Sequence, residues 1–266
     1  MKIGFIGTGN MGGAILKGYS AKARKEGNEI VAFNRTREKV EAIAKDHPMV
    51  IAESIEELVT DCDMILLCVE PQNFDDVMPQ IVPHFTKEKV FISIAAGITI
   101  AYLEGHLGKG AKVIRVMPNT PIMFGLGTTA MVRNENVSDK NFAAAQAIFE
   151  AGGITGEVTE DLIGAVIGVS GSSPAYTYMY IDALAKVGVN NGMDEEMSKR
   201  FAAQAVMGAA RMVLESDETP EQLRDNVCSP GGTTIEAVKK LMANGFEDSV
   251  IEGAQASVDR AEEMSK

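Results

Sequence analysis

The chain has 266 residues, 45% of them hydrophobic, enough to bury a sizeable core and better suited to two domains than to one or three. Its 37 acidic against 25 basic residues leave a formal net charge of -12, which repels nucleic acid and anionic membrane surfaces, so any anionic ligand must be held by local geometry. The cysteines Cys62, Cys68 and Cys228 are few, odd in number and without metal spacing, which argues against a disulfide framework, predicts no metal site and fits a reducing compartment.

The N-terminus, MKIGFIGTG, enters a strand and a turn directly, with nothing that marks export. Residues 2–6 form a short apolar strand. Gly7-Thr8-Gly9-Asn10-Met11-Gly12 follows it and leads into a helix through Ala14, Ile15, Leu16 and Tyr19. Strand, G-x-G-x-x-G, helix is the order a Rossmann-like dinucleotide fold requires. Gly7 makes the tight turn, Gly9 admits the pyrophosphate to the backbone, and Gly12 lets helix and strand pack closely.

A second strand is predicted at 29–34, and its end discriminates between dinucleotides. An Asp or Glu there holds the ribose 2'-hydroxyl of NAD, whereas this chain reads Phe33-Asn34-Arg35-Thr36-Arg37. Arg35 can fork onto a 2'-phosphate with Asn34 and Thr36 donating to it, which predicts NADPH, with NADH as the weaker alternative. The other reading is that Thr36 caps the next helix, 37–46, and the arginines are solvated surface; both can hold at once.

The alternation continues. Ser54-x-x-Glu57 caps a short helix, 64–69 is a buried strand, 71–83 holds a helix, and 90–94 is a strand ending in Ala95-Ala96-Gly97. Small residues at that carboxyl end leave room for a flat ring. A helix at 100–107, a strand at 112–117 and the loop Pro118-Asn119-Thr120-Pro121 come next, the loop reading either as a neighbour of the cofactor or as a plain turn. Strands at 128–132 and 154–158 close a sheet of about eight strands around a helix at 138–150, an α/β architecture.

No strand pattern recurs beyond Glu160. The domain boundary is therefore drawn after Thr159, giving a dinucleotide-binding domain at 1–159 and an all-helical domain at 160–266. Residues 162–181 carry no charge, but Ser170, Gly171, Ser172, Ser173 and Pro174 lie at their centre, which reads as burial in protein and not in lipid, between helices at 161–169 and 175–187. A long helix at 194–215 is apolar or small nearly all round from Phe201 to Leu214. A domain of about one hundred residues cannot surround such a helix, which predicts a partner subunit.

The stretch DNVCSPGGTTIEAVKK, 225–240, turns a polar loop into a helix. Pro230 stops what precedes, Gly231 and Gly232 leave backbone uncovered, and Thr233 with Glu236 forms a capping box. The first N–H groups of that helix suit a small carboxylate or phosphate, with hydroxyls of Ser229, Thr233 and Thr234 beside them; an ordinary capped helix start is the alternative.

With these pieces in hand, the chain resembles the pyrroline-5-carboxylate reductase family from end to end. The resemblance rests on GFIGTGNMG at the start, AAGITI at 95–100, VIRVMPNTP at 113–121, EDLIGAVIGVSGSSPAY at 160–176 and, most specifically, DNVCSPGGTTIEA at 225–237. It implies a cytoplasmic enzyme reducing a cyclic imine carboxylate to L-proline with a nicotinamide cofactor. It further implies a helical dimerisation domain that interlocks with a second subunit; some members form rings of dimers. Carried over, the cofactor would lie on Ile6, Gly7, Thr8, Gly9, Asn10, Met11, Asn34, Cys68, Val69, Glu70, Pro71, Ile94, Ala95, Ala96 and Asn226. The substrate would contact Glu160, Ser229, Thr233 and Thr234, with Thr234 orienting the ring nitrogen or relaying its proton. Glu70 stands where many members have lysine, and Ser173 where most have glycine.

Two rival readings remain. A 3-hydroxyacid-dehydrogenase-like oxidoreductase also opens with G-x-G-x-M-G but uses a lysine on a central helix, and here no lysine follows SGSSP until Lys186. A non-catalytic NADPH-binding regulator would keep the fold without the substrate site, against which the intact SPGGTT argues.

Overall fold

A computed structural model of the chain describes residues 1–264. Among them one sheet is formed by β1 (Lys2–Ile6), β2 (Glu29–Phe33), β3 (Val50–Ile51), β4 (Met64–Leu67), β5 (Val90–Ser93), β6 (Lys112–Met117), β7 (Gly127–Arg133) and β8 (Gly153–Glu157). The order across the sheet is β3-β2-β1-β4-β5-β6-β7-β8. Every neighbouring pair is parallel except β6 with β7. Helices α1 (Asn10–Lys25), α2 (Arg37–Ala44), α3 (Ile55–Asp61), α4 (Phe74–Ile81), α5 (Ile100–Leu107) and α6 (Asp139–Glu150) lie between strands. Then follow α7 (Ile163–Val166), α8 (Ser173–Asn190), α9 (Glu195–Glu215), α10 (Pro220–Asn226), α11 (Thr233–Ala243) and α12 (Phe246–Met264).

Parallel strands need crossovers, and crossover helices cover both faces of a sheet, so the inner strands are apolar residue after residue instead of alternating. β4 (MILL) and β5 (VFIS) are buried at every position. One core cluster joins Leu58, Phe74, Phe91 and Leu103; the cluster on the other face joins Phe5, Ile15, Tyr19 and Phe149. β3 was not expected. Its two residues, Val50 and Ile51, pair with Val31 and Ala32, and so short a segment has no period of its own. The expected helix at 71–83 is shorter: Pro71–Asn73 is a 3-10 turn, and a second one, Val82–His84, follows α4.

The chain divides into two compact units, one of Met1–Ser172 with the residues from Ser257 onward, the other Ser173–Ala256. The division expected after Thr159 follows the last strand. The first unit nevertheless runs on, because Ile163 and Ile167 are buried in the core cluster of Ile100 and Val113, and Ala261 of α12 packs against the same cluster.

The segment 160–172 departs from the expected pair of helices around a break. A 3-10 turn (Glu160–Leu162) and α7 run into a π-helical turn, Ile167–Gly171, in which the Ser172 N–H donates to the Ile167 carbonyl at 2.8 Å. Pro174 has no N–H to give the Ser170 carbonyl. That carbonyl instead accepts from Asn119 Nδ2 at 3.0 Å, while Asn119 Oδ1 accepts the Thr128 N–H at 2.8 Å. Asn119, 8% exposed, thus fastens the Pro118–Pro121 loop to β7 and to the π-helical turn.

In the second unit the hydrophobic residues stay largely uncovered. α10, α11 and α12 bury no residue, and α8 and α9 bury only Ala185, Ser198 and Ala202. α8 meets α9 closely at Gly188, where a Cβ would stand 2.6 Å from Ser198 Oγ. Phe201, Met212 and Leu214 of α9 and Tyr178 and Met179 of α8 are exposed. Among the described residues no helix is long and apolar enough to cross a membrane.

Asn119→Ala leaves the Thr128 N–H and the Ser170 carbonyl unsatisfied in a partly buried site. It should lower stability by about 2–4 kcal/mol, read as a drop in Tm, with Asn119→Asp losing less. A Tm equal to that of the parent chain would remove the clamp from the account.

Candidate functional site

In the order β2-β1-β4 the chain leaves β1 in one direction and later returns on its other side. At such a switch point the loops at the strand carboxyl ends part and open a crevice. A cavity of about 470 Å³ lies there. Ile6, Gly7 and Gly9 line it from β1, Phe33, Asn34, Arg35 and Thr36 from β2, and Cys68, Val69 and Glu70 from β4.

The glycines of the loop have separate steric reasons. Gly7 has φ +99°, and a Cβ on it would stand 2.5 Å from the Cys68 carbonyl oxygen. A Cβ on Gly12 would collide with the Gly7 carbonyl oxygen and come within 2.7 Å of Cys68 Cβ. A Cβ on Gly9 would meet nothing within 4 Å, so the space beside it is open to a ligand. Gly9 is also the N-cap of α1, with no side-chain cap and no acid in the first turn, so the helix start presents bare N–H groups. Thr8 Oγ1 is buried without a hydrogen-bond partner among the described residues. An unpartnered hydroxyl beside an uncapped helix start fits the phosphates of a dinucleotide.

The arginines after β2 separate into two kinds. Arg37 gives its guanidinium to Glu53 and, secondarily, to Glu41, which holds its pKa above the ordinary arginine value. Arg35 lines the cavity and has no hydrogen bond or ion pair among the described residues. Lys39, one turn into α2, lines the same cavity and is likewise unpaired. The sequence reading missed Lys39; its signal was the i,i+4 spacing from Arg35. Thr36 occupies the N-cap of α2 with no side-chain cap bond, so its hydroxyl is not committed to the helix. Asn34 accepts the Thr8 N–H at 2.9 Å and donates to the Thr36 carbonyl at 2.9 Å, tying the glycine loop to the turn after β2. Burial raises the Cys68 thiol well above its usual range, so it is neutral, and Glu70 accepts from Gln72 Nε2 at 2.6 Å.

Other expected cofactor residues stand outside this lining. Thr8, Asn10 and Met11 belong to the loop and the first turn of α1, Pro71 opens the 3-10 turn after β4, and Ile94, Ala95 and Ala96 follow β5, the neighbour of β4. Asn226 ends α10 in the helical unit and donates to Glu218 Oε1 at 2.6 Å.

Of the expected substrate residues, Glu160 lies in the first unit and Ser229, Gly231, Gly232, Thr233 and Thr234 in the second. The anticipated capping box is absent. α11 begins at Thr233 with Gly232 as its N-cap and no side-chain cap bond, and Glu236 pairs with Lys239 at 2.9 Å. The reason is the turn before it: Gly231 at φ +72° and the Gly232 N–H bonded to the Ser229 carbonyl at 3.0 Å start the helix one residue too early for Thr233 to cap it. The first N–H groups of α11 are therefore open, with exposed hydroxyls of Ser229, Thr233 and Thr234 around them. Among the described residues no cluster of three or more His, Cys, Asp or Glu could hold a metal.

The sheet order and glycine loop define a Rossmann-type oxidoreductase fold. A family model described as pyrroline-5-carboxylate reductase dimerisation matches residues 160–264, and one described as NADP oxidoreductase, coenzyme F420-dependent, matches residues 2–97. The pyrroline-5-carboxylate reductase of Escherichia coli (strain K12) is 42% identical over 265 residues, covering 100% of this chain and 98% of that protein. The crystal structure of Plasmodium falciparum pyrroline carboxylate reductase with NADP bound aligns at a TM-score of 0.89 and 32% identity, covering 100% of this chain and 98% of that one. The Coxiella burnetii pyrroline-5-carboxylate reductase structure aligns at 0.91 and 34%, covering 99% and 98%. This chain belongs to the pyrroline-5-carboxylate reductase family.

Gly9 and Gly12 give opposite expectations. Gly9→Ala should keep the Tm of the parent chain and weaken dinucleotide binding about tenfold, whereas Gly12→Ala should lose about 2 kcal/mol or more of stability through overpacking. Thermal melts with and without cofactor separate the two effects; equal Tm losses for both variants would refute the assignment.

Proposed function

We propose that this chain catalyses the NADPH-dependent reduction of 1-pyrroline-5-carboxylate to L-proline, the final step of proline biosynthesis. The observation that carries the proposal is a switch-point cavity with unpaired Arg35 beside an uncapped glycine loop, in a chain related over its whole length to reductases of that name. A nicotinamide held in this cavity would supply the hydride for the C=N carbon.

The chain's own residues bind and orient. The N–H groups of Gly9, Asn10 and Met11 and the unpartnered Thr8 hydroxyl hold the pyrophosphate. Arg35, supported by Lys39 and the Thr36 hydroxyl, takes the 2'-phosphate, and no acid follows β2 to favour NADH. The neutral Cys68 thiol adds no repulsion toward the phosphates. The open start of α11 holds the substrate carboxylate between the Thr233 and Thr234 N–H groups and the Ser229 hydroxyl. Glu160 accepts a hydrogen bond from the ring nitrogen. The Thr234 hydroxyl, a weak acid, is suited to hydrogen-bonding the substrate more than to proton donation. Protonation of the imine, not a protein nucleophile, makes its carbon electrophilic.

The helical unit serves as the homodimer interface. Its exposed aromatic and aliphatic residues on α8 and α9 form a surface that a monomer would leave in water, and the match to a dimerisation model supports a second copy as its cover. Rings of dimers are a further assembly open to this interface. The three free cysteines support a reducing location, the cytoplasm.

Oxidation of NADPH by purified protein should depend on the cyclic imine and exceed that of NADH. Arg35→Ala should lower kcat/KM for NADPH about tenfold or more while leaving NADH nearly unchanged, and Thr234→Ala should lower kcat/KM for the imine. Equal use of both cofactors by the parent chain refutes the Arg35 role, and no imine-dependent oxidation refutes the activity. Light scattering at working concentration should give at least twice the protomer mass of 28.4 kDa; a monomer would contradict the interface.

A further inference from the structure

Among the buried described residues a single side chain carries a full charge. Arg115 sits in the middle of β6, between Ile114 and Val116, and is 4% exposed. Its neighbours across the sheet are Ser93 of β5 and Val132 of β7. Taking a guanidinium out of water is costly, and one hydrogen bond offsets little of that cost. Yet one is what Arg115 makes among the described residues: Nη1 donates to Glu160 Oε1 at 2.9 Å.

The same carboxylate oxygen accepts the Ile100 N–H, at the start of α5, at 2.9 Å. Glu160 is thereby pinned from the core by two donors on one oxygen, and Oε2 has no protein partner among the described residues. The Glu160 side chain remains 35% exposed and, with Arg115, Thr99 and Gly164, lines a cavity of about 330 Å³. Asp161 and Glu262 line it too, so among the described residues Arg115 is the one cation in a lining with three carboxylates.

As a stabilising device this arrangement is poor. An apolar residue at 115 would join the surrounding core without a desolvation cost, and buried ion pairs are commonly replaceable in that way without loss. As a device for aiming a carboxylate it is well built, since a planar guanidinium and a fixed backbone N–H restrict the carboxylate's rotation far more than water would. We infer that Arg115 is a positioning residue: it holds Glu160 so that the free carboxylate oxygen stays turned to the cavity, ready for the protonated ring nitrogen of the substrate. This rests on the reading of Glu160 as a substrate contact.

The test is steady-state kinetics with the cyclic imine and NADPH on Arg115→Gln, Arg115→Lys, Glu160→Gln and the double variant Arg115→Gln/Glu160→Gln, with NADPH affinity measured separately by fluorescence titration. Arg115→Gln should raise KM for the imine about tenfold with NADPH affinity within about twofold of the parent, and Arg115→Lys should recover part of the loss. Because Arg115 acts through Glu160, the double variant should be no worse than Glu160→Gln. A normal KM for Arg115→Gln, or losses that multiply in the double variant, overturns the inference while leaving the Glu160 contact standing. A normal KM for Glu160→Gln overturns the substrate contact itself. If Arg115→Gln does not fold, the double variant, which leaves no unpaired charge in the core, carries the comparison: a KM equal to that of Glu160→Gln supports positioning, and a further tenfold rise overturns it.

Discussion

The close approach of the β1–α1 turn to the end of β4 is the constraint on which the first unit depends. Gly7 and Gly12 both face Cys68 at distances that no side chain could share. Because the turn passes so near β4, α1 starts at the carboxyl end of the interior strand β1, where the crevice opens. Those groups, the Thr8 hydroxyl and the open space at Gly9 then fall together without further design. A looser turn would move the helix start away from the crevice and spend its dipole on solvent.

Charge is managed locally in a chain of net charge -12. At physiological salt, exposed charges act over about 8 Å, so a few cations beside a cavity can outweigh a distant acidic surface. The residues after β2 show how this is arranged. Glu53 and Glu41 occupy Arg37, while Arg35 and Lys39 have no side-chain partner among the described residues at the cavity. The backbone dipole of α1 adds positive potential that no count of side chains records.

The two units solve burial differently. In the first, helices on both faces of a parallel sheet enclose two apolar clusters, and a buried charge such as Arg115 stands out against them. In the second, helices rich in small and apolar residues leave aromatic and methionine side chains in the open. Such a surface carries a free-energy penalty in water until something covers it.

The sequence alone determined the alternation of strands and helices in the first half, the switch to helices after Glu160, the glycine loop and the absence of an acid after β2. These are local signals, set by period, by glycine and by the residue types that follow a strand. It also marked the helical half as too apolar to stand alone, a matter of composition along one helix. Only the tertiary structure decided which arginine after β2 stays free, because Arg37 finds Glu53 sixteen residues away. It likewise decided that Val50–Ile51 is a strand, that Thr233 follows the N-cap instead of filling it, and that 167–171 winds into a π-helical turn held by Asn119. Arg115 was in plain view within VIRVM, but its meaning needed the fold, since only packing brings Glu160, forty-five residues on, to its guanidinium. Hydrogen bonds between distant segments leave no period in the chain, and they are what turned a legible fold into a specific site.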